Sequence, residues 1–180
     1  MTILALIAPM VAICVWLSWR LVSALRAGRQ LAGVRLVTCP ESGIAAAVSF
    51  DRRHAMLTAF AHHEADARLS HCSRWAVRGP CDQPCVPQAK APDTAVANIV
   101  ARWSARRRCV LCGTPLVEAP RLGHHIALRS SDGVTCEWPD VPPETLPEAL
   151  PIRQAVCWNC HIAETFRRKH PELVTDCSNA

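Results

Sequence analysis

The sequence predicts an α+β protein in which an N-terminal transmembrane helix precedes a small module of β-hairpins and short helices held together by its cysteines. Three observations predict this fold class. The chain opens on an apolar run, it carries 11 cysteines in 180 residues, and its 14 prolines against 7 glycines indicate short, stiffly connected segments. A chain of this length holds one ordinary domain or two small ones. The composition fits poorly with a long repeat array, a coiled coil or a disordered chain.

The apolar run predicts a helix that crosses a membrane. Residues 3–17 (ILALIAPMVAICVWL) contain no polar side chain, and residues 2–19 form about 27 Å of helix, close to the hydrocarbon thickness of a bilayer. Trp16 and Trp19 lie where an interfacial aromatic belt would be, and Arg20 can reach the headgroups. The alternatives are a buried core helix and a cleaved signal peptide. A signal peptide needs basic residues before the apolar run, and this sequence has none there. We predict a transmembrane helix within residues 1–25 and a juxtamembrane linker at residues 26–35.

The charge distribution predicts the orientation of this helix. Residues 1–35 contain four arginines and no acidic residue, so they contribute +4 of the formal net charge of +5. Because all four arginines follow the apolar run, the positive-inside rule predicts a single-pass protein of the inner (cytoplasmic) membrane whose C-terminal part is cytoplasmic. The remaining residues are nearly neutral. A nucleic-acid partner is therefore not expected, since such proteins carry a clearly basic domain.

Residues 36–92 are predicted to form a first, cysteine-containing subdomain. Residues 36–39 and 44–50 are typical of two strands around the turn-forming Pro-Glu-Ser-Gly sequence at residues 40–43. The Ala- and His-rich residues 51–67 favour a helix. Residues 68–92 contain four prolines and three cysteines, so we expect a loop with little regular structure.

Residues 93–180 are predicted to form a second subdomain that begins with a helix near Asp93. Val96, Ile99, Val100 and Trp103 lie on one face of that helix at helical spacing, which is typical of a core-facing stripe. Two strand-like segments surround residues 130–133, and a Pro- and Glu-rich connection follows at residues 139–151. The last predicted helix begins beside a second Cys-x-x-Cys pair and stops at residue 171.

Two Cys-x-x-Cys pairs in the second subdomain predict a metal site. They comprise Cys109, Cys112, Cys157 and Cys160. Four thiolates allow tetrahedral coordination of Zn²⁺. Gly113 permits the turn of a metal-binding knuckle, and the second pair opens a helix whose N-terminal dipole stabilises thiolate charge. Basic residues flank both pairs, at residues 106–108 and 167–169. Three interpretations of them are open: they offset the negative charge of a four-thiolate zinc site, they form an ordinary solvated face, or they bind an acidic partner.

The order of knuckle, β-hairpin and ligand-bearing helix over roughly residues 105–172 resembles the treble-clef and zinc-ribbon classes of Cys₄ module. On that resemblance the protein is a zinc-stapled module with one or two zinc ions.

The upstream cysteines give a weaker signal for a second zinc site. They are Cys39, Cys72, Cys81 and Cys85. The Cys81–Cys85 spacing is one residue longer than the usual pair, and the other two cysteines are isolated, although the turn that follows Cys39 suits a single knuckle ligand. His71 is an alternative ligand. Cys14 lies in the apolar run, while Cys136 and Cys177 stand alone.

Cys157-x-x-Cys160-His161 also matches the attachment signature of c-type haem. In that alternative the two cysteines form thioether bonds and His161 is the proximal ligand, which requires haem attachment on the far side of the membrane and leaves Cys109 and Cys112 without a role. Disulfides would likewise need an oxidising compartment. An iron–sulfur cluster uses the same four-cysteine ligand set as zinc and stays open as an alternative.

Three stretches of the chain resemble an uncharacterised group of bacterial single-span membrane proteins. They are residues 36–43 (LVTCPESG), residues 71–75 (HCSRW) with the two cysteines that follow, and residues 156–173 (VCWNCHIAETFRRKHPEL). The resemblance implies no established activity. The sequence contains no Gly-rich phosphate loop, nucleophile elbow or His-Glu-x-x-His motif, and it identifies no small-molecule substrate. It therefore favours a membrane-anchored protein-interaction or assembly module with a protein partner over an enzyme; a membrane-anchored electron carrier is the alternative.

Overall fold

The computed structural model describes residues 2–62, 64–116 and 122–173, with the backbone alone for residues 2–8. The protein mixes helix and sheet and opens on an apolar helix, as predicted. The chain divides into two compact units, Met1–Val96 and Ala97–Ala180. Cys177 lies outside the described residues.

Helix α1 (Thr2–Gln30) contains the predicted apolar run and continues beyond residue 25. Its Pro9–Gln30 segment is long and apolar enough to cross a membrane, and only a small part of that segment is buried. A signal sequence near an N-terminus passes the same test of length and composition. Pro9 lies inside the helix.

The C-terminal part of α1 packs against α2 (Arg52–His62). Gly28 allows a close approach, since a Cβ at this position would lie 2.6 Å from the Met56 sulfur. The Arg52 side chain donates a hydrogen bond to the Gly28 carbonyl (3.0 Å). Arg20, which we expected to reach the lipid headgroups, is instead 5% exposed and donates to the Ala61 carbonyl at the end of α2. A cation at a helix C-terminus offsets the partial negative charge of the last carbonyls.

A three-stranded antiparallel sheet forms the centre of the first unit. Its strands β1 (Val34–Thr38), β2 (Ala45–Phe50) and β3 (Leu69–Cys72) stand in the order β1-β2-β3. The predicted hairpin at residues 36–50 is β1 and β2. The expectation of a loop at residues 68–92 differs from the structure, which places β3, α3 (Trp75–Arg78) and α4 (Val86–Ala89) there. These elements form because buried residues such as Leu69, Cys85 and Ala89 share one core with the sheet.

The second unit is built on a smaller antiparallel sheet. Its strands β4 (Ala127–Arg129), β5 (Thr135–Glu137) and β6 (Gln154–Val156) stand in the order β5-β4-β6. Helix α5 (Val96–Ser104) precedes the sheet, α6 (Leu146–Ile152) lies between β5 and β6, and α7 (Trp158–Lys169) follows β6. The predicted stripe of α5 is confirmed at Val96 and Val100, which are buried. Each strand has only three residues, among which Ala127, Leu128, Ala155 and Val156 are buried.

Candidate metal centre

The first cysteine pair lies in a tight turn before β4. The Cys109 amide donates a hydrogen bond to the Thr114 carbonyl (2.9 Å), and the Gly113 amide donates to the Cys109 carbonyl (2.8 Å). Gly113 has a φ of 71°, in the left-handed region that glycine adopts without steric cost. We call residues 109–114 the downstream knuckle. It brings the side chains of Cys109 and Cys112 to the same side of a single turn.

The second pair lies at the junction of β6 and α7. Cys157 is the N-cap residue of α7 and has extended backbone angles (φ −70°, ψ 157°), and Cys160 lies in the first turn of the helix. The four first amides of a helix lack intrahelical acceptors, and the helix dipole is positive at this end. The helix terminus therefore favours thiolate charge at this pair, whereas burial opposes it.

A backbone hydrogen bond between distant segments joins the two pairs. The Val110 amide donates to the Ala155 carbonyl of β6 (3.0 Å), so the downstream knuckle is fastened to the strand that leads into the second pair. Cys109 packs in a small buried cluster with Ala127 and Val156, and Cys157 and Cys160 pack against it.

The four sulfur atoms lie within 4.8 Å of one another. The Cys112 and Cys157 sulfurs are 3.7 Å apart. A tetrahedral metal with metal–sulfur bonds near 2.3 Å requires sulfur separations of about 3.8 Å. Cys109 is buried, Cys157 and Cys160 are half-buried and Cys112 is exposed. The arrangement can hold one metal ion at the edge of the second unit.

Local hydrogen bonds and burial divide the four thiols into different electrostatic environments. The Thr114 side chain, whose Oγ1 is 3.2 Å from the Cys112 sulfur, and the Thr114 backbone amide lower the pKa of Cys112 to about 6. Burial raises the pKa of Cys157, and burial together with the neighbouring sulfurs raises the pKa of Cys160 above its ordinary value. Of the thiols whose pKa is shifted, Cys112 is therefore the one that most readily forms the deprotonated sulfur that metals bind.

The predicted basic residues make several different contacts. Arg108 donates to the Gly113 carbonyl (3.0 Å) and so lies against the downstream knuckle. Arg107 stacks on the ring of Trp103, 4.5 Å from its centroid, and Arg167 forms an ion pair with Glu164 (2.8 Å). Of these, Arg108 is the arginine positioned to offset negative charge at the four cysteines.

The histidines of the second unit contact other side chains. His161, the ligand in the haem alternative, is 9% exposed, and its Nδ1 lies 2.8 Å from the Thr135 hydroxyl of β5. His124 stacks on Trp158, with ring centroids 3.9 Å apart. Thr135 thus holds α7 against the sheet through His161.

The upstream cysteines lie in the first unit and all line one pocket, together with Cys39's neighbours Val37 and Pro40. His71 is not among the lining residues. Of the unassigned cysteines, Cys14 is exposed on α1, and Cys136 accepts a hydrogen bond from Arg153 (3.0 Å).

Sequence reasoning missed Thr114, whose hydroxyl and amide both reach the sulfur of Cys112. The sequence signal that could have identified Thr114 is its position directly after Cys-x-x-Cys-Gly, where the turn brings the chain back toward the second cysteine. The Val110–Ala155 hydrogen bond left no sequence signal, because it joins residues 45 positions apart.

No protein-family model, no curated protein and no solved structure matches this chain.

Proposed function

We propose that the four downstream cysteines bind a structural zinc ion, and that the protein is a membrane-tethered module that binds another protein. The observation that carries this proposal is the convergence of four cysteine sulfurs within 4.8 Å. A Cys₄ site is closed, whereas catalytic zinc keeps an open position for water. The order of knuckle, hairpin and helix resembles that of treble-clef zinc modules.

The geometry favours zinc over haem. A haem carried on Cys157 and Cys160 needs the space beside those sulfurs for its porphyrin, and the Cys112 sulfur lies 3.7 Å from that of Cys157. Zinc uses all four cysteines and leaves His161 in its contact with Thr135. A four-cysteine iron–sulfur cluster uses the same ligands, so the metal itself must be measured.

The packing of α1 supports a retained membrane anchor over a cleaved signal peptide. Ala24 and Ala27 of α1 are buried, and Gly28 packs closely against Met56 of α2. Removing α1 would therefore uncover part of the core of the first unit. The exposed apolar residues at positions 10–19 of the helix, among them Trp16 and Trp19, suit a lipid environment.

Exposed apolar side chains on the two cysteine-bearing elements support the binding role. Val110 and Leu111 form the tip of the downstream knuckle, and Ile162 and Phe166 lie one helical turn apart on α7. The last turn of α7 is basic, with residues 167–169 reading Arg-Arg-Lys. These residues suit a partner whose surface combines apolar and acidic side chains.

Metal content, haem content and intact mass of the full-length protein, purified from its own membrane, test the zinc and anchor proposals. We expect zinc, no covalent haem, and a mass of 19.7 kDa. Loss of zinc in Cys112→Ser with retention in Cys136→Ser would assign the metal to the four cysteines. Stoichiometric iron or a haem-staining band would overturn the zinc proposal, and a mass lacking α1 would overturn the proposal of a retained anchor.

A photo-crosslinker placed at Leu111 or at Phe166 tests the binding role. We expect one adduct of defined mass at both positions, and no adduct at Ile152 on α6, although its side chain is more exposed than those of Leu111 and Phe166. The double charge reversal Arg167→Glu/Arg168→Glu should reduce the adduct, whereas Arg53→Glu on α2 should not. Equal labelling at all three positions would contradict a specific partner surface.

A further inference from the structure

We propose that Cys39, Cys72, Cys81 and Cys85 form a second metal site, which takes a tetrahedral thiolate-binding ion of the zinc class. This site lies within the first unit and uses none of the residues of the downstream cluster. This second site can therefore be tested independently of the proposed function.

The turn that carries Cys39 has the backbone geometry of the downstream knuckle. The Cys39 amide donates to the Ile44 carbonyl (2.9 Å) and the Gly43 amide donates to the Cys39 carbonyl (2.8 Å). The corresponding bonds from Cys109 and Gly113 measure 2.9 and 2.8 Å. Gly43 has a φ of 68° against 71° for Gly113.

The two turns can therefore be aligned residue by residue, as Cys-Pro-Glu-Ser-Gly-Ile at residues 39–44 and Cys-Val-Leu-Cys-Gly-Thr at residues 109–114. Ser42 occupies the position of Cys112. The upstream turn thus keeps the fold of a metal knuckle but supplies one sulfur instead of two. A four-sulfur site must take its other three ligands from elsewhere in the unit.

Three further cysteines line the same pocket as Cys39. Cys72 ends β3, where it pairs with Val48 of β2, and Cys72 and Cys85 are both buried in the core of the unit. Cys85 is the N-cap residue of α4, as Cys157 is of α7. Sulfur ligands are therefore presented by a turn, a strand end and a helix start around one space.

The Cys81–Cys85 loop is held in a conformation that brings both cysteines to the pocket. Gln83, at its centre, has a φ of 58°, which side-chain-bearing residues rarely adopt. Its side-chain oxygen accepts a hydrogen bond from the Leu69 amide of β3 (2.7 Å). This contact ties the loop to the strand that ends at Cys72. The extra residue in Cys-x-x-x-Cys is accommodated by the left-handed turn.

The pocket also contains groups suited to thiolate charge. Among the described residues, the buried Arg74 Nε and Trp75 Nε1 donors have no hydrogen-bond partner, and both residues line the pocket. Arg78 lines it too and pairs with Glu41 (3.5 Å). Unpaired buried donors are costly, and thiolate sulfurs would satisfy them.

The upstream sulfurs must move closer together when the ion binds. Within the described residues, the downstream cluster is the one group of potential ligands whose atoms all lie within 4.8 Å of one another. The pocket between the upstream cysteines is the space that this movement closes. Binding should therefore draw the segment that carries Cys81 and Cys85, which contributes two of the four ligands, toward the other two cysteines.

Mapped alkylation of the wild-type, full-length protein tests the site without a substitution. The protein is treated with a maleimide under reducing conditions, with zinc or after chelation, and each cysteine is read by mass spectrometry. We expect all four upstream cysteines to be protected with zinc and labelled after chelation, with Cys14, which is exposed on α1, labelled alike in both. Equal labelling of the upstream set in both states would overturn the proposal, and so would disulfides between its members.

Metal stoichiometry and a rescue variant separate this site from the downstream one. We expect two zinc ions per chain, one after Cys81→Ser, and one after Cys112→Ser. Adding Ser42→Cys to Cys81→Ser should restore the second zinc, because position 42 matches Cys112 in the downstream knuckle. One zinc per chain, lost in Cys112→Ser and unaffected by Cys81→Ser, would overturn the second site and leave the proposed function intact.

Discussion

At the scale of single residues, the turns at residues 39–44 and 109–114 show why each has a glycine at its fifth position. Gly43 and Gly113 have positive φ angles, and a Cβ built at either position would meet no atom within 4 Å. Any penalty for alanine at these positions therefore comes from the backbone conformation and not from crowding, about 1 kcal/mol. Sequence reasoning used Gly113 as a knuckle signal, and the same argument applied to Gly43 would have strengthened the upstream site.

The unequal environments of the four downstream thiols predict an order of reactivity in the metal-stripped protein. Because its pKa is lowered to about 6, Cys112 is mostly thiolate at neutral pH, and it is also exposed. Cys160, whose pKa is raised by burial, stays protonated there. We expect iodoacetamide to alkylate Cys112 first, with a rate that rises through about pH 6.

Peptide mapping of the alkylated protein across a pH series measures this order. The variant Thr114→Val removes the hydroxyl and keeps the backbone amide, so the midpoint for Cys112 should move to higher pH. The prediction is wrong if Cys112 and Cys160 react with the same pH dependence.

At the scale of elements, local sequence patterns predicted the pieces and missed how they are joined. The β1–β2 hairpin and the α5 stripe follow from alternation and helical spacing, which are properties of neighbouring residues. The short helices α3 and α4 within residues 68–92 were not predicted, because the prolines and cysteines of this segment leave no helical periodicity. Their order comes from burial in the core of the first unit and from the Gln83–Leu69 hydrogen bond.

The contact between α5 and α6 gives a prediction at this scale. The Trp103 indole donates a hydrogen bond to the carbonyl of Leu150, which is 5% exposed. Trp103→Phe keeps the ring and leaves this buried carbonyl without its donor, at an expected cost of about 1–2 kcal/mol. Native-state hydrogen exchange should show the α6 amides opening more easily by that amount.

The matched control is Trp158→Phe, because the stacking of this ring on His124 is a contact that phenylalanine retains. Its effect on α6 should be small. Equal losses of protection in the two variants would show that ring size, and not the hydrogen bond to Leu150, fixes α6.

At the scale of the whole molecule, cysteine spacing predicted more than hydrophobic pattern did. Two Cys-x-x-Cys pairs were enough to expect the downstream cluster, since four thiolates at that spacing favour one tetrahedral ion. The apolar run predicted α1, but not that Arg20 would cap α2. That contact joins residues 41 positions apart, and it depends on the approach of two helices that no local pattern specifies.

The division of the chain predicts where metal removal will act. The second unit has strands of three residues, and the ligand Cys109 is buried beside Ala127 and Val156 of its sheet, so we expect the unit to depend on its metal for stability. Structural zinc contributes about 10 kcal/mol or more to folding in small zinc domains. The first unit has a buried core of its own and its own cysteines. Cys160→Ser should therefore unfold the second unit and leave the first folded.

Hydrogen exchange of the full-length protein in detergent measures this directly. In Cys160→Ser, amides of β4, β6 and α7 should lose most of their protection, while those of β1, β2 and β3 keep it. Cys136→Ser, which changes a cysteine of the second unit outside the cluster, should leave β6 and α7 protected. If Cys160→Ser leaves the second unit protected, the metal is not structural. If protection is lost equally in both sheets, the two units unfold together, and the stability of the first sheet cannot come from its own core and metal site.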